Sequence, residues 1–316
     1  MAPVIRAFFA CSFVFFVSAC SVLPQAELTA FSDSVVATRQ AGDLILDEVS
    51  AAIPFDGVER DTSCEPNAQG YRPCFRVDFA LGDTTTRAGE HPDIQVRRLA
   101  LAVLVTYTEM LVDISAGRPA KVIEQRGAEL GALTTAVSTL VAGSGVSLAS
   151  LPIAGVTEIA TRLVELSSQA AGARSVLEAE EDIRTLVRLL INDTPPMYRI
   201  YVLQFEGNVK DVVNELLIAR IDGKTEEAER LQRKLDALRS PTGNAAKALL
   251  FEESLIKYVK LLDQTDKSVV ALRSAITLED LNPLVRSTEF VKRATESRIL
   301  LEGVIADLRE LRDQDR

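Results

Sequence analysis

The sequence has 316 residues, with 45 acidic and 35 basic side chains, a formal net charge of −10, four cysteines and one histidine. The acidic balance argues against a nucleic-acid partner, which would need a basic face. So few Cys and His residues leave almost no ligands for a zinc site. With 12 Phe, 5 Tyr and no Trp, stacking platforms for bases or sugars are not expected.

Residues 1–20 read MAPVIRAFFACSFVFFVSAC. Arg6 and the terminal amine precede an apolar run at 7–17, which is too short to span a bilayer as a helix. A charged start followed by a short apolar run is typical of a secretory signal. Residues 17–20 (VSAC) follow that run and resemble the lipobox of bacterial lipoproteins.

The resemblance to bacterial lipoproteins implies that residues 1–19 are removed and that Cys20 becomes the acylated first residue. Several acyl chains hold a protein to a bilayer far more firmly than one. Ser21, rather than Asp, follows the cysteine, which by analogy favours the periplasmic face of the outer membrane. An uncleaved anchor and an ordinary signal with a chance cysteine are the alternatives.

Cys64 and Cys74 lie in a stretch rich in Pro, Asn and Gly. In a chain bound for an oxidising compartment, this spacing predicts a disulfide. Directly afterwards, residues 75–81 (FRVDFAL) alternate between apolar side chains and Arg, Asp or Ala, which is a strand pattern. We therefore expect 54–92 to form a disulfide-bearing loop with a short strand or hairpin. Both a recognition lobe and a cap over one end of a helical bundle fit this segment.

Elsewhere the chain follows helical periods. Breaks at Pro, Gly and Asn-Asp pairs predict helices at about 25–53, 92–115, 119–142, 152–191, 197–221, 225–239, 241–276 and 283–313. The fold prediction is all-α: an elongated antiparallel helical bundle forming one domain over 20–316, with a solenoid as a secondary possibility.

Heptad spacing marks several helices and predicts seams packed like those of a coiled coil. The seam of the seventh helix comprises Ala248, Phe251, Leu255, Tyr258, Leu262, Thr265, Val269, Leu272 and Ile276. The seam expected for the last helix comprises Val291, Ala294, Arg298, Leu301, Ile305 and Leu308.

Residues 130–157 contain no charged side chain and are rich in small residues, which predicts a helical hairpin. Each arm is too short for a stable two-pass insertion. Three interpretations stay open: a buried hairpin, an exposed apolar surface that receives a partner protein, and a tip that enters a bilayer, as in helical pore-forming toxins, which the architecture broadly resembles. The candidate contact residues are Leu133, Val137, Leu140, Val141, Val146, Leu148, Leu151 and Ile153.

Catalytic patterns are largely missing, so we expect no enzyme, no cofactor and no metal. His91 is the single histidine of the sequence, so an acid-base or metal-binding role lacks a second histidine. We interpret it as a solvated residue at a helix start. The segment 254–257 matches the S-x-x-K of penicillin-binding proteins, but the S-D-N and K-T-G elements of that family are not found. The acidic run at 178–182 precedes Arg184 and Arg188 at spacings for ion pairs within one helix.

These observations predict a non-enzymatic lipoprotein of the cell envelope that acts as a scaffold or protein-interaction module. Its expected partners are membrane lipid, through acylated Cys20, and another envelope protein; self-association through exposed seams is left open. A membrane-active bundle using 130–157 is the alternative, and an enzyme with an unrecognised site is a third hypothesis.

Overall fold

The computed structural model describes residues 25–53, 77–81, 84–88, 91–144, 173–240, 243–277 and 283–314. Most of these residues are helical. The helices are α1 (Gln25–Ala52), α2 (Pro92–Ser115), α3 (Ala120–Ser144), α4 (Ala173–Asn192), α5 (Thr194–Ile221), α6 (Thr225–Arg239), α7 (Asn244–Thr277) and α8 (Pro283–Asp313). The strands are β1 (Val77–Leu81) and β2 (Thr84–Ala88).

The helix boundaries agree with the sequence prediction to within a few residues for most elements. The expected rod at 152–191 is described only from Ala173 onward. Helix α5 begins at Thr194, three residues before its expected start, so that Asp193 alone separates it from α4. Helices α4 and α5 therefore follow each other almost without interruption.

Helix α1 lies between α2, α7 and α8. It runs parallel to α8, because Ser34 contacts Ser297 (Oγ–Oγ 3.1 Å) and, further along both helices, Glu48 pairs with Arg312.

Helix α7 runs antiparallel to α1. The Thr38 and Thr265 hydroxyls lie 2.9 Å apart, and Gly42, one turn further along α1, lies against Tyr258, which is earlier in α7. Helix α4 is antiparallel to α7 as well, with Arg184 Nε donating to Asp266 at 2.9 Å. A helical bundle is thus observed, as predicted, but it is not antiparallel throughout, because α1 and α8 run parallel.

The heptad seam predicted for α7 is confirmed from Phe251 to Leu272, whereas Ala248 is only half-buried. The buried members are Phe251, Leu255, Tyr258, Leu262, Thr265, Val269 and Leu272. They pack with α1, α2 and α4 in one continuous core. The seam has two series of residues, each repeating every seven positions, and both series are buried. The apolar stripe is therefore wide enough for α7 to contact several neighbouring helices.

The seam predicted for α8 is only partly right: Leu308 is buried and Leu301 packs against the core, but its first half is not covered. Val291 is 68% exposed and the Arg298 side chain is largely exposed. The buried face of α8 carries, besides Leu308, three residues that the prediction did not include: Ser297, Val304 and Leu311. The apolar residues of α8 occupy more than one face, and the buried face includes a serine that a hydrophobic pattern does not select.

The second half of α5 and all of α6 form a smaller hydrophobic cluster of their own. It comprises Val212, Leu216, Ala219, Leu231 and Leu235. The first half of α5 belongs to the main core, where the Tyr201 ring stacks on Phe251 at 3.9 Å between centroids.

Helix α5 runs antiparallel to α7, because Met197 lies near Tyr258 and Tyr201, later in α5, stacks on Phe251, earlier in α7. Helix α7 begins only at Asn244. With Tyr201 opposite Phe251, the residues of α5 after about 208 lie beyond the first turn of α7, so the α5–α6 pair projects from the bundle by about 20 Å. We call residues 208–239 the projecting hairpin. Its turn is made at Gly223, where φ is +72°, a conformation that glycine adopts without strain.

Strands β1 and β2 pair as an antiparallel hairpin, with Val77 opposite Ala88 and Leu81 opposite Thr84. The hairpin lies within the segment for which the sequence predicted a stapled loop. Cys64 and Cys74 lie outside the described residues, so their disulfide stays a prediction.

Gly42 allows the closest approach of α1 to its neighbours. A Cβ at this position would lie 2.6 Å from Leu101 Cδ1 and 3.1 Å from the Tyr258 hydroxyl. We expect Gly42→Ala to lower the free energy of unfolding by about 1–2 kcal/mol, because overpacking outweighs the gain in helix propensity.

The matched control is Gly131→Ala in α3, where an added Cβ meets nothing within 4 Å. This substitution should stabilise the protein by about 0.5–1 kcal/mol through helix propensity alone. Urea unfolding of both variants checks the pair, and equal effects at the two positions would contradict the packing argument.

Candidate functional site

The uncharged segment begins inside the bundle core. Leu130 and Leu133 are buried, at 0% and 2% exposure. Leu133 is therefore corrected from a candidate contact residue to a core residue, because α3 packs this face against α2. Among the other candidates, Val137, Leu140 and Val141 lie on α3 with side chains outside the described set, and Val146, Leu148, Leu151 and Ile153 lie wholly outside the described residues.

A buried ion pair joins α2 to the junction between α4 and α5. The Arg97 guanidinium donates to both oxygens of Asp193, from Nε at 2.5 Å and from Nη2 at 2.8 Å. The two side chains are 2% and 1% exposed. Arg97 also donates to the backbone carbonyl of Asp93 at 3.1 Å. Such a fork-to-fork contact satisfies both charges inside the core.

Sequence analysis did not single out Arg97 or Asp193. Arg97 lies two residues before the apolar stretch of α2, with Arg98 between them, and Asp193 lies in an Asn-Asp-Thr-Pro-Pro segment that is typical of a surface turn. One feature of the sequence could have predicted the burial of Arg97: it lies close to residues that are apolar on every face of the helix. A charged residue that continues such a stretch is buried and needs a partner.

His91 caps the N-terminus of α2. Its Nδ1 accepts a hydrogen bond from the backbone N–H of Asp93 at 3.3 Å, so it does not at the same time donate to Asp93 Oδ1, which is also 3.3 Å away. Burial raises the pKa of the Asp93 carboxyl, opposed by the charges of His91 and Arg97. His91 is thus a capping residue rather than the simply solvated one expected from sequence.

The space beside the ion pair does not admit a ligand. It is lined by Gly42, Leu101, Met197 and Tyr258 together with the paired charges, and it is too narrow for a water molecule. Burial also raises the pKa of Tyr258. Because the charges are paired and the surrounding space is closed, we interpret this cluster as a structural contact between helices.

The S-x-x-K match does not form a catalytic pair. Ser254 Oγ donates to the carbonyl of Leu250 in its own helix at 3.0 Å. Lys257 Nζ instead pairs with the carboxylate of Asp307 on α8. Each side chain therefore serves a separate packing contact.

The acidic run on α4 is only partly solvated. The Glu180 side chain is 5% exposed and contacts Arg273 of α7 at 2.9 Å as well as Arg184 in its own helix at 3.7 Å. The pair between Glu180 and Arg184 has the i,i+4 spacing that the sequence predicted. Glu181 and Arg188 form an exposed pair seven residues apart. Within the described ranges, no group of three or more Cys, His, Asp or Glu side chains is placed to hold a metal ion.

The projecting hairpin carries apolar side chains on its outside. Leu217, Ile218 and Ile221 are 51%, 58% and 83% exposed, and Leu203, which lies on α5 before the hairpin begins, is 49% exposed. They lie opposite the face of α5 that packs on α6. Sequence analysis did not select them, although the string LLIARI shows that α5 has apolar residues on two faces there.

These outward residues follow a heptad spacing along α5. We call this row the outer seam; it comprises Leu203, Gly207, Lys210, Asn214, Leu217 and Ile221, with Ile218 adjacent to it. A row of this spacing at an exposed surface is a candidate for helix-to-helix contact with another chain.

Among the helices described, none combines the length and apolarity needed to cross a bilayer. Comparisons with protein-family models, with curated proteins and with solved structures found no match to this chain.

Proposed function

We propose that this protein is a cell-envelope lipoprotein, acylated at Cys20 and held at the periplasmic face of the outer membrane. There it acts as a non-enzymatic scaffold or protein-interaction module. The lipobox-like residues 17–20 after a short apolar run support the anchor. The helical bundle with an exposed apolar outer seam supports the role in protein contact.

The placement of the two ends of the bundle is the observation that carries this proposal. Helix α1 begins at Gln25, and the five residue-to-residue steps from Cys20 to Gln25 span at most about 18 Å. Along the bundle, α4 and α5 rise together from Ala173 to Ile221, a distance of about 70 Å. The start of α1 lies at the end where α4 begins, so the start of α1 and the projecting hairpin are at opposite ends of the described helices.

Replacing Cys20 with Ala in the full chain tests the anchor. We expect incorporation of labelled palmitate to fall to background and the protein to leave the membrane fraction, because the acylated sulfur is lost. Cys11→Ala is the matched control, since it alters a cysteine nine residues earlier in the signal and should leave labelling unchanged. Palmitate labelling that persists in the Cys20→Ala variant would overturn the proposal.

Export to the same compartment supports a disulfide between Cys64 and Cys74. Closure of so short a loop contributes on the order of 2–3 kcal/mol when its geometry is unstrained. Thiol labelling of the unreduced, denatured protein tests the pairing, and two reactive thiols at these positions would contradict it.

The alternative function, a membrane-active bundle that inserts 130–157, has less support. The buried Leu130 and Leu133 favour the core interpretation for the first part of this segment. Release of dye from liposomes by the protein would nevertheless count for the alternative, and complete inertness would count against it.

A further inference from the structure

We propose that the outer seam of α5 pairs with the same seam of a second copy of this chain, in parallel and around a two-fold axis along the helices. The parallel orientation rests on the proposed function. Two chains anchored through Cys20 in one leaflet point their projecting hairpins the same way. A two-fold axis perpendicular to the membrane is the symmetry that relates them.

The heptad positions of the outer seam match those of a parallel pair. With Gly207, Asn214 and Ile221 at position a, Lys210 and Leu217 fall at position d. Ile at a with Leu at d favours two parallel strands. The parallel two-fold therefore places Leu217 and Ile221 against their own copies near the hairpin tip, with Ile218 beside them.

The polar members of the seam are compatible with self-pairing. Asn214 has both a donor and an acceptor in its amide, so it can hydrogen-bond to Asn214 of a second copy, and a single Asn at a fixes register and oligomer state. Lys210 at d comes close to position e of the other helix, which is Asp211. Both side chains are exposed in the single chain, so the contact would join opposite charges.

The exposed area indicates a weak dimer in solution. The outward apolar side chains of α5 leave roughly 400 Å² uncovered, which is the size of the largest apolar patch on a typical monomer. Two such faces bury about 800 Å², less than the roughly 1,200–2,000 Å² of stable complexes. Anchoring both copies in one leaflet raises their effective concentration and compensates for the small area.

Disulfide crosslinking of the full chain in its membrane tests the pairing. We expect Leu217→Cys and Ile221→Cys to give a crosslinked species of twice the chain mass on oxidation. Asp236→Cys, on the exposed face of α6, is the matched control and should give none above the level of the unsubstituted chain. A Leu217→Cys chain that stays monomeric, or that crosslinks only to a protein of different mass, would overturn the inference.

Exchanging the charges of Lys210 and Asp211 provides a second test of the pairing, which needs no cysteine beyond Leu217→Cys. In the Leu217→Cys background, Lys210→Glu should lower the crosslinked fraction about tenfold, equivalent to about 1.4 kcal/mol. Adding Asp211→Lys should restore it, because the opposite charges are exchanged. Absence of rescue would contradict the proposed register.

The crosslinking test of the pairing can be distinguished from the labelling test of the anchor. In the Cys20→Ala chain concentrated in solution, the pairing inference predicts that the same crosslinks return, whereas palmitate labelling reports on the anchor alone. In the chain that keeps Cys20, crosslinks without palmitate labelling would overturn the anchor and support the pairing of the outer seam. Palmitate labelling without crosslinks would support the anchor and overturn the pairing of the outer seam.

Discussion

Replacing Asp193 with Ala is expected to lower the free energy of unfolding by about 3–5 kcal/mol, because it leaves the Arg97 guanidinium buried without its counter-ion. The side chains of this pair are 2% and 1% exposed, so water cannot take the place of the carboxylate. The pair also joins α2 to the junction between α4 and α5, so its removal weakens the contact among three helices. Urea unfolding followed by circular dichroism measures the effect.

The matched control for this prediction is Glu181→Ala. Glu181 and Arg188 form an ion pair with side chains that are 69% and 50% exposed, and exposed pairs contribute between 0 and about 1 kcal/mol. A loss below 1 kcal/mol at Asp193, or equal losses at the two sites, would show that Arg97 relaxes to solvent and that the buried pair is not required.

Replacing Leu235 with Asp is expected to unfold the projecting hairpin while the main bundle stays folded. Leu235 is 4% exposed and belongs to the small cluster formed by α5 and α6 alone. An unpaired carboxylate in so small a cluster costs several kcal/mol, which exceeds what the cluster can supply. Local opening of this kind is characteristic of units with few contacts to the rest of the protein.

Hydrogen exchange resolved along the chain measures this separation. Amides of α6 and of α5 after residue 208 should lose protection, whereas those of α1 and α7 should keep it. Ala237→Asp places the same charge on an exposed position of α6 and should leave exchange unchanged. Loss of protection throughout the chain would mean that the hairpin and the bundle fold as one unit.

Helix boundaries were predictable because local signals determine them. The helix at 225–239 was predicted with the residues it has, since Gly223 and Pro241 bracket it. The seam of α7 was predictable too, because its apolar spacing is regular and both heptad positions are buried. In contrast, the seam of α8 was predicted only in part: Leu308 is buried, but the buried face also contains Ser297 and the exposed face contains Val291.

The candidate site was harder to predict than the helices. Lys210, Leu217 and Ile221 carry no motif, and they become a surface only because the opposite face of α5 packs on α6. The same holds for Arg97 and Asp193, which lie 96 residues apart. Polar side chains that meet across such a separation leave no mark in local periodicity.

By itself the amino-acid sequence determined where the helices begin and end, the acidic character of the chain and the apolar run that precedes Cys20, because propensity, caps and apolar periods act over a few residues. Only the tertiary structure decided which apolar faces are covered, that Leu133 lies in the core, and that Ile221 lies exposed on a projecting hairpin. Burial depends on which helices come together, and that choice is made by contacts between residues far apart in the chain.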